Sequence, residues 1–178
     1  EYLGAFLKYL SGNSTLYPPT LLQSWVQGQF DNALMEVVEF AKNAAPSIID
    51  VSLPLADRQT LWKTQATQIE NLLMQTGILP SLSQTKLDAA IADPVWTARA
   101  SAQLAISVGL EAIDAAELAR LAHLFRYVRP DLLLSDSGLI ATGYGTDEIF
   151  PSYRHVDVFG HVGDELAYRE VRTYSVSH

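Results

Sequence analysis

The spacing of the hydrophobic residues changes once along the chain, close to residue 136. Before this point apolar residues recur every three or four positions, a spacing typical of amphipathic helices. This region is divided by helix-ending residues, of which Pro46, Gly77, Pro94 and Pro130 are the clearest. The pattern predicts helices over residues 2–10, 20–43, 57–76, 84–92, 94–108 and 115–129.

After residue 136 glycine becomes frequent, and β-branched and aromatic residues alternate with polar ones. This period of two predicts strands over residues 139–144, 153–162 and 166–176. The last two strands should form a hairpin around Gly163-Asp164, a typical two-residue turn. We therefore expect an α+β chain, mostly helical over residues 1–136, with a small antiparallel sheet of one strand plus a hairpin over residues 137–178.

The predicted sheet is too small to enclose a hydrophobic core alone. Its strands must pack on the helices, or they must join strands that this chain does not contain. The second option would make the sheet part of a larger sandwich.

Two predicted helices have compositions that indicate their surroundings. The helix over residues 95–108 is rich in Ala and Ser and carries a single charge, which predicts that it is buried. The helix that starts after Asp114 carries Arg120, Arg126 and Arg129 toward its C-terminal end, where positive charge interacts favourably with the helix dipole.

The composition excludes several classes of function. The 178 residues include 12 Lys and Arg against 20 Asp and Glu, which gives a net charge of -8 and disfavours nucleic acid or anionic lipid as partners. There is no cysteine, so disulfides, thiolate metal sites and cysteine nucleophiles are excluded. No apolar run approaches the roughly 18 residues of a membrane span. No charged-then-apolar leader follows Glu1, so we expect a cytoplasmic location and no membrane association.

One segment carries a family resemblance. Residues 138–153 read Gly-Leu-Ile-Ala-Thr-Gly-Tyr-Gly-Thr-Asp-Glu-Ile-Phe-Pro-Ser-Tyr. The matching positions are Leu139, Ile140, Ala141, Gly143, Tyr144, Pro151, Tyr153, Val156, Asp157 and Gly160. This stretch resembles a recurring segment of proteasome-type N-terminal-nucleophile (Ntn) hydrolases, in which a strand runs into a loop and then a second strand. It is also similar to uncharacterised bacterial proteins that bear the stretch G-[FY]-G-x-[DK]-E-[IY]-F-P-S.

The resemblance covers about residues 113–175 and implies that the chain is the middle segment of such a protein, with its strands in an incomplete αββα sandwich. It does not imply catalysis by this chain. An Ntn hydrolase uses a Thr, Ser or Cys at the start of its mature chain as nucleophile. Residue 1 here is Glu, which has neither hydroxyl nor thiol, so no catalytic residue is carried over.

The most site-like group of side chains is His155, Asp157 and His161. At the period of a strand these residues share one face with Tyr153 and Phe159. Imidazole and carboxylate ligands at this spacing can chelate Zn²⁺ or a related metal. Valines at alternate positions of the same segment also explain the pattern as the solvent-facing side of a hairpin. We prefer that explanation and expect neither a metal nor a cofactor.

Three further groups of residues are candidates. Asp147-Glu148 in a glycine-flanked loop offers paired carboxylates to a cation, although we prefer to explain them as an exposed turn. His123 with Ser135, Asp136 and Ser137 has the composition of a hydrolase triad, but His123 falls on an Ala- and Leu-rich helix and is better explained by helix packing. The third group consists of Trp25, Trp62 and Trp96, which we expect to be core anchors rather than the walls of an aromatic ligand pocket.

Three functions fit these features. The first is a noncatalytic structural or assembly segment of a proteasome-like protein, which would associate with itself or with the rest of a parent chain and would expose sheet edges. The second is a fragment of an amide-bond hydrolase whose nucleophile lies outside this chain. The third is a helical protein-interaction module that uses the helix over residues 95–108.

Overall fold

The computed structural model describes residues 2–12, 18–134, 137–143 and 152–175. In this part of the chain, α-helices and one 3₁₀ turn precede a three-stranded sheet, which confirms the predicted α+β class. The helices are α1 (Tyr2–Gly12), α2 (Pro19–Ala44), α3 (Leu55–Thr76), α4 (Gln84–Ala92), α5 (Pro94–Ala105), α6 (Ala115–Val128) and α7 (Pro130–Leu133), with the 3₁₀ turn at Pro46–Ile49. The strands are β1 (Ser137–Gly143), β2 (Ser152–Val162) and β3 (Glu165–Ser175).

Several helix ends follow from single residues. The side chain of Asp93 accepts a hydrogen bond from the Val95 amide, and that of Asp114 accepts one from the Glu117 amide. Each bond satisfies a backbone donor that the first helical turn leaves unpaired. Gly77 ends α3 with a φ of 76°, a conformation that glycine adopts without steric cost.

Helix α6 lies at the centre of the helical bundle and contacts α2, α3, α4 and α5. Leu118, Leu121 and Ala122 on its apolar stripe have no exposed surface. Full burial of each leucine side chain contributes about 1.5–3 kcal/mol to folding. Among the described helices, none combines the length and the apolar character needed to cross a membrane.

A buried arginine fastens the 3₁₀ turn to the bundle. Arg58 on α3 is 2% exposed and donates from Nε to the carbonyl oxygen of Ile48 at 2.9 Å. It also donates to the carbonyl oxygen of Gly109 at 2.5 Å and to the carboxylate of Glu111 at 2.7 Å. Because each of the three guanidinium nitrogens donates to one of these acceptors, the burial of the charge is compensated.

The prediction that the helix over residues 95–108 is buried is wrong. Only Ala100 and Leu104 of α5 are buried, while Val95 is 62% exposed. Beyond the helix end, Ile106 and Val108 are 77% and 95% exposed. Small uncharged residues fit a solvent-facing helix as well as a buried one, so low charge alone did not determine the environment.

The sheet has strand order β1-β2-β3 and is antiparallel throughout. The hairpin turns at Gly163-Asp164, as predicted, with Gly163 at a φ of 66°. Phe159, Val162 and Ala167 on one face join the core of the helical bundle. On the other face, Val156, Val158, Leu139, Leu166 and Tyr168 pack with Leu3, Leu7 and Leu10 of α1. The strands therefore pack on helices on both faces, which is one of the two arrangements expected from the sequence.

Candidate functional site

Two of the three candidate metal ligands lie close together on β2. Nε2 of His155 lies 3.4 Å from Oδ1 of Asp157. The other carboxylate oxygen of Asp157 accepts a hydrogen bond from Arg169 on β3 at 3.2 Å. Asp157 therefore interacts with the imidazole of His155 and with the guanidinium of Arg169, whose positive charge compensates the carboxylate.

The third candidate ligand, His161, does not share this face. The register of β2 with β3 shifts between Val158 and Gly160, where Gly160 has a φ of 108°. Phe159 packs into the bundle core, whereas His161 lies opposite Leu166, which packs toward α1. A β-bulge adds one residue to the strand and so reverses the alternation beyond it. The predicted shared face is wrong at His161 for this reason. The described residues contain no group of three or more His, Asp or Glu side chains that could hold a metal ion.

Several other predicted residues fall outside the described part of the chain: Ser135, Asp136, Tyr144, Asp147, Glu148 and Pro151. His123 is described and is fully buried in α6. Its ring centroid lies 5.0 Å from that of Phe30 and 5.2 Å from that of Trp96. This confirms the prediction of a helix-packing histidine, and it removes the imidazole from contact with solvent.

The three tryptophans differ in their environments. Trp62 is 1% exposed and is a core anchor, as predicted, and Trp96 packs partly against the same core. The prediction is wrong for Trp25, which is 51% exposed and donates from Nε1 to the carbonyl oxygen of His161 at 3.3 Å. Together with Leu21, Leu22, Ser24, Gly160 and His161, it lines an apolar cavity of about 550 Å³ between α2 and the sheet.

The two outer strands of the sheet have edges of different character. Strand β3 carries Arg169, Glu170 and Arg172, and its register with β2 is interrupted twice. Charged side chains and bulges are the features with which natural proteins prevent edge-to-edge pairing. By these criteria β3 is a protected edge.

Strand β1 has none of these protective features. Its seven residues include no charged residue and no proline. Its pairing with β2 runs without interruption from Ser137 to Gly143. Ile140 at its centre is 58% exposed, and no described strand pairs with its outer side. An uncharged, regular and unpaired edge is a template for the addition of another strand.

A second unusual feature is a buried polar cluster on α6. Arg126 is 2% exposed and donates to Nδ1 of His123 and to Oε1 of Gln29, both at 3.3 Å. Its guanidinium carbon also lies 5.8 Å from the centre of the Trp96 ring. Burial lowers the pKa of Arg126 to about 10, so the group is charged at neutral pH. The sequence prediction placed Arg126 among helix-end charges, but its position four residues after the buried Ala122 directs it into the bundle.

The contacts of Arg126 determine the tautomer of His123. A guanidinium only donates, so Nδ1 of His123 must accept. Burial lowers the pKa of His123 to about 3, with the charge of Arg126 acting in the same direction, so the ring is neutral at pH 7. Its proton is therefore on Nε2, which has no hydrogen-bond partner among the described residues.

The comparisons with known proteins identify no relative. No protein-family model, no curated protein and no solved structure matches the chain. The two structural features that stand out are therefore the unprotected edge of β1 and the buried Arg126–His123 pair.

Proposed function

We propose that this chain is a noncatalytic assembly module that associates with a second copy of itself through the outer edge of β1. The observation that carries the proposal is the contrast between the two sheet edges. Edge β3 is charged and interrupted, while edge β1 is uncharged and regular, and no other described strand pairs with its outer side. Main-chain hydrogen bonds along such an edge provide affinity without side-chain pockets.

Antiparallel pairing of two β1 strands has a natural centre at Ile140. A twofold axis there places Ile140 opposite its own copy, Leu139 opposite Ala141, and Gly138 opposite Thr142. No like charges meet along this edge, although the chain as a whole is strongly acidic. The result is a closed, symmetric interface in which three strands of each copy form one continuous sheet.

This proposal retains the assembly role that the resemblance to proteasome-type hydrolases implies, and a proteasome-like identity is part of it. It assigns no hydrolysis to the chain. The candidate base His123 is buried against Phe30, Trp96 and Arg126, and none of these three side chains is a nucleophile.

A helical interaction surface is the second candidate. The solvent-facing side of α5 is exposed at Val95, and the exposed side chains of Ile106 and Val108 follow directly after the helix. Exposed apolar residues that are neighbours in sequence and structure are typical of contact surfaces. This candidate predicts association through Val108 rather than through Ile140.

Sedimentation velocity over a wide concentration range distinguishes the two surfaces. We expect the wild-type chain to form dimers, Ile140→Lys to remain monomeric, and Val108→Lys to form dimers like the wild type. A charge at the centre of β1 places two lysines opposite each other in the dimer, which is unfavourable. A wild-type chain that is monomeric throughout, or an Ile140→Lys variant that dimerises normally, would show that β1 is not the interface.

A further inference from the structure

The guanidinium of Arg126 is buried and has no acidic partner among the residues that the structure describes. Six other described arginines each pair with a carboxylate: Arg58, Arg99, Arg120, Arg129, Arg154 and Arg169. Arg126 is 2% exposed, yet its hydrogen-bond partners are the neutral side chains of His123 and Gln29. Burying a charge without a counter-charge is unfavourable, so this arrangement points to an anion that the protein acquires.

We propose that the cavity beside Arg126 and His123 binds a small organic monocarboxylate with a flat apolar body. The cavity has a volume of about 300 Å³ and lies between α2, α4, α5, α6 and the hairpin turn. This volume accommodates a compact ligand of this kind.

The polar end of the cavity provides hydrogen-bond donors that need acceptors. Nε of Arg126 and Nε2 of His123 are both buried and have no partner among the described residues. Nε of a guanidinium always carries a proton, and the tautomer of His123 places the ring proton on Nε2. The bonds from Arg126 to His123 and Gln29 are long at 3.3 Å, so the guanidinium can turn toward a stronger acceptor. A carboxylate accepts from two donors at once and is the preferred partner of a guanidinium.

The remaining walls are mostly apolar. Val26, Ala89, Ala90 and Trp96 form this apolar lining, and the ring of Trp96 lies beside the guanidinium of Arg126. Trp96 is half-buried, so one part of its ring faces solvent while the rest packs on Phe30 and His123. An apolar body fits this surface.

The charges around the cavity favour a monoanion over a phosphate. Lys86 also lines it, but its ammonium group pairs with Asp164 at 2.7 Å. The carboxylate of Asp164 itself faces the same cavity and repels additional negative charge. One unpaired positive charge therefore remains, which matches the single charge of a carboxylate.

Titration calorimetry with benzoate and with its neutral analogue benzamide tests this site. We expect one benzoate to bind per wild-type chain. Benzamide should bind roughly tenfold more weakly or not at all, because it lacks the negative charge. Arg126→Met should bind benzoate more weakly than the wild type by a similar factor. Arg120→Met, which removes a surface arginine of the same helix paired with Glu70, should retain it.

Each contrary outcome is decisive. Equal binding of benzoate and benzamide, or undiminished benzoate binding by Arg126→Met, would overturn the proposal. Tighter binding of inorganic phosphate than of benzoate would overturn the assignment to a carboxylate. If Arg126→Met does not fold, the contrast between the two ligands on the wild-type chain still decides the matter. None of these results depends on whether β1 mediates assembly.

Discussion

The side-chain amide of Gln29 donates to the main-chain carbonyl oxygen of His161 at 2.6 Å. The same amide group accepts from Arg126 through its oxygen. One residue of α2 therefore connects the buried arginine of α6 with the bulged part of β2. Since the nitrogen and the oxygen of this amide both form hydrogen bonds inside the protein, Gln29 links the helical bundle to the sheet.

Replacing Gln29 by leucine should destabilise the chain. The substitution removes the shorter of the two side-chain hydrogen bonds to the His161 carbonyl and an acceptor from Arg126. We expect the free energy of unfolding to fall by about 2 kcal/mol, the usual effect of leaving buried polar groups unpaired. Urea denaturation measures it. The control Gln23→Leu changes an exposed residue of the same helix and should alter stability by less than about 0.5 kcal/mol.

Replacing the two buried arginines, Arg58 and Arg126, by methionine should have different effects on the free energy of unfolding. Arg58→Met removes the donor for two backbone carbonyls and for Glu111, so we expect a loss of about 3 kcal/mol. Arg126→Met removes a buried charge that has no carboxylate partner among the described residues. The free energy of unfolding of this variant should therefore be unchanged or higher by up to about 2 kcal/mol. Urea denaturation of both variants, in buffer without organic acids, makes the comparison. Equal destabilisation would indicate that Arg126 has a stabilising partner within the chain.

The buried imidazole of His123 predicts a pH dependence. Its pKa is about 3 in the folded chain, lowered by burial and by Arg126, against an ordinary value of 6.5 when unfolded. Between these values the unfolded state binds the extra proton, so stability decreases as pH falls below 6.5 and is constant for this group above it. The slope should reach at most about 1.4 kcal/mol per pH unit.

Denaturation between pH 5 and pH 7 measures this slope above the range in which ordinary carboxyl groups protonate. In His123→Phe the slope should largely disappear, because no imidazole is left to protonate at that site. His155→Gln keeps His123 and should keep the slope. A variant without His123 that retained the full slope would assign the effect to another group.

Two glycines should behave differently when replaced by alanine. Gly109 has a φ of 85°, and an added Cβ would lie 2.9 Å from the carbonyl oxygen of Ile49. We expect Gly109→Ala to cost about 2 kcal/mol or more, since both the conformation and the space oppose it. Gly28 lies within α2 with nothing near its Cβ position, so Gly28→Ala should stabilise by about 0.5–1 kcal/mol. Thermal denaturation of the two variants gives the comparison.

The sequence predicted the elements where local signals are strong. The caps at Asp93 and Asp114, the end of α3 at Gly77 and the turn at Gly163-Asp164 all depend on residues within one helical or hairpin turn. The burial of Trp62 and His123 followed from helical periodicity. These features depend on short-range geometry, which the sequence order specifies directly.

The predictions failed where distant contacts determine the outcome. The bulge at Gly160 depends on how β2 pairs with β3, so period-two counting misplaced His161. The exposure of α5 depends on which helices surround it. The burial of Arg126 had a detectable signal, because the residue falls on the apolar stripe of α6, but its lack of a carboxylate partner is visible only in three dimensions.

Disulfide crosslinking tests the proposed β1 interface most directly, because the chain contains no cysteine of its own. Directly opposite residues of antiparallel strands have Cβ atoms about 4.5–5.5 Å apart, close to the separation in a disulfide. Under mild oxidation, Ile140→Cys should form a covalent dimer rapidly and with high yield. Val108→Cys is the control, since this residue is 95% exposed against 58% for Ile140 and should crosslink faster if random collisions dominate. Rapid crosslinking at position 140 but not at 108 is the result we predict, and crosslinking that simply follows exposure would contradict assembly through β1.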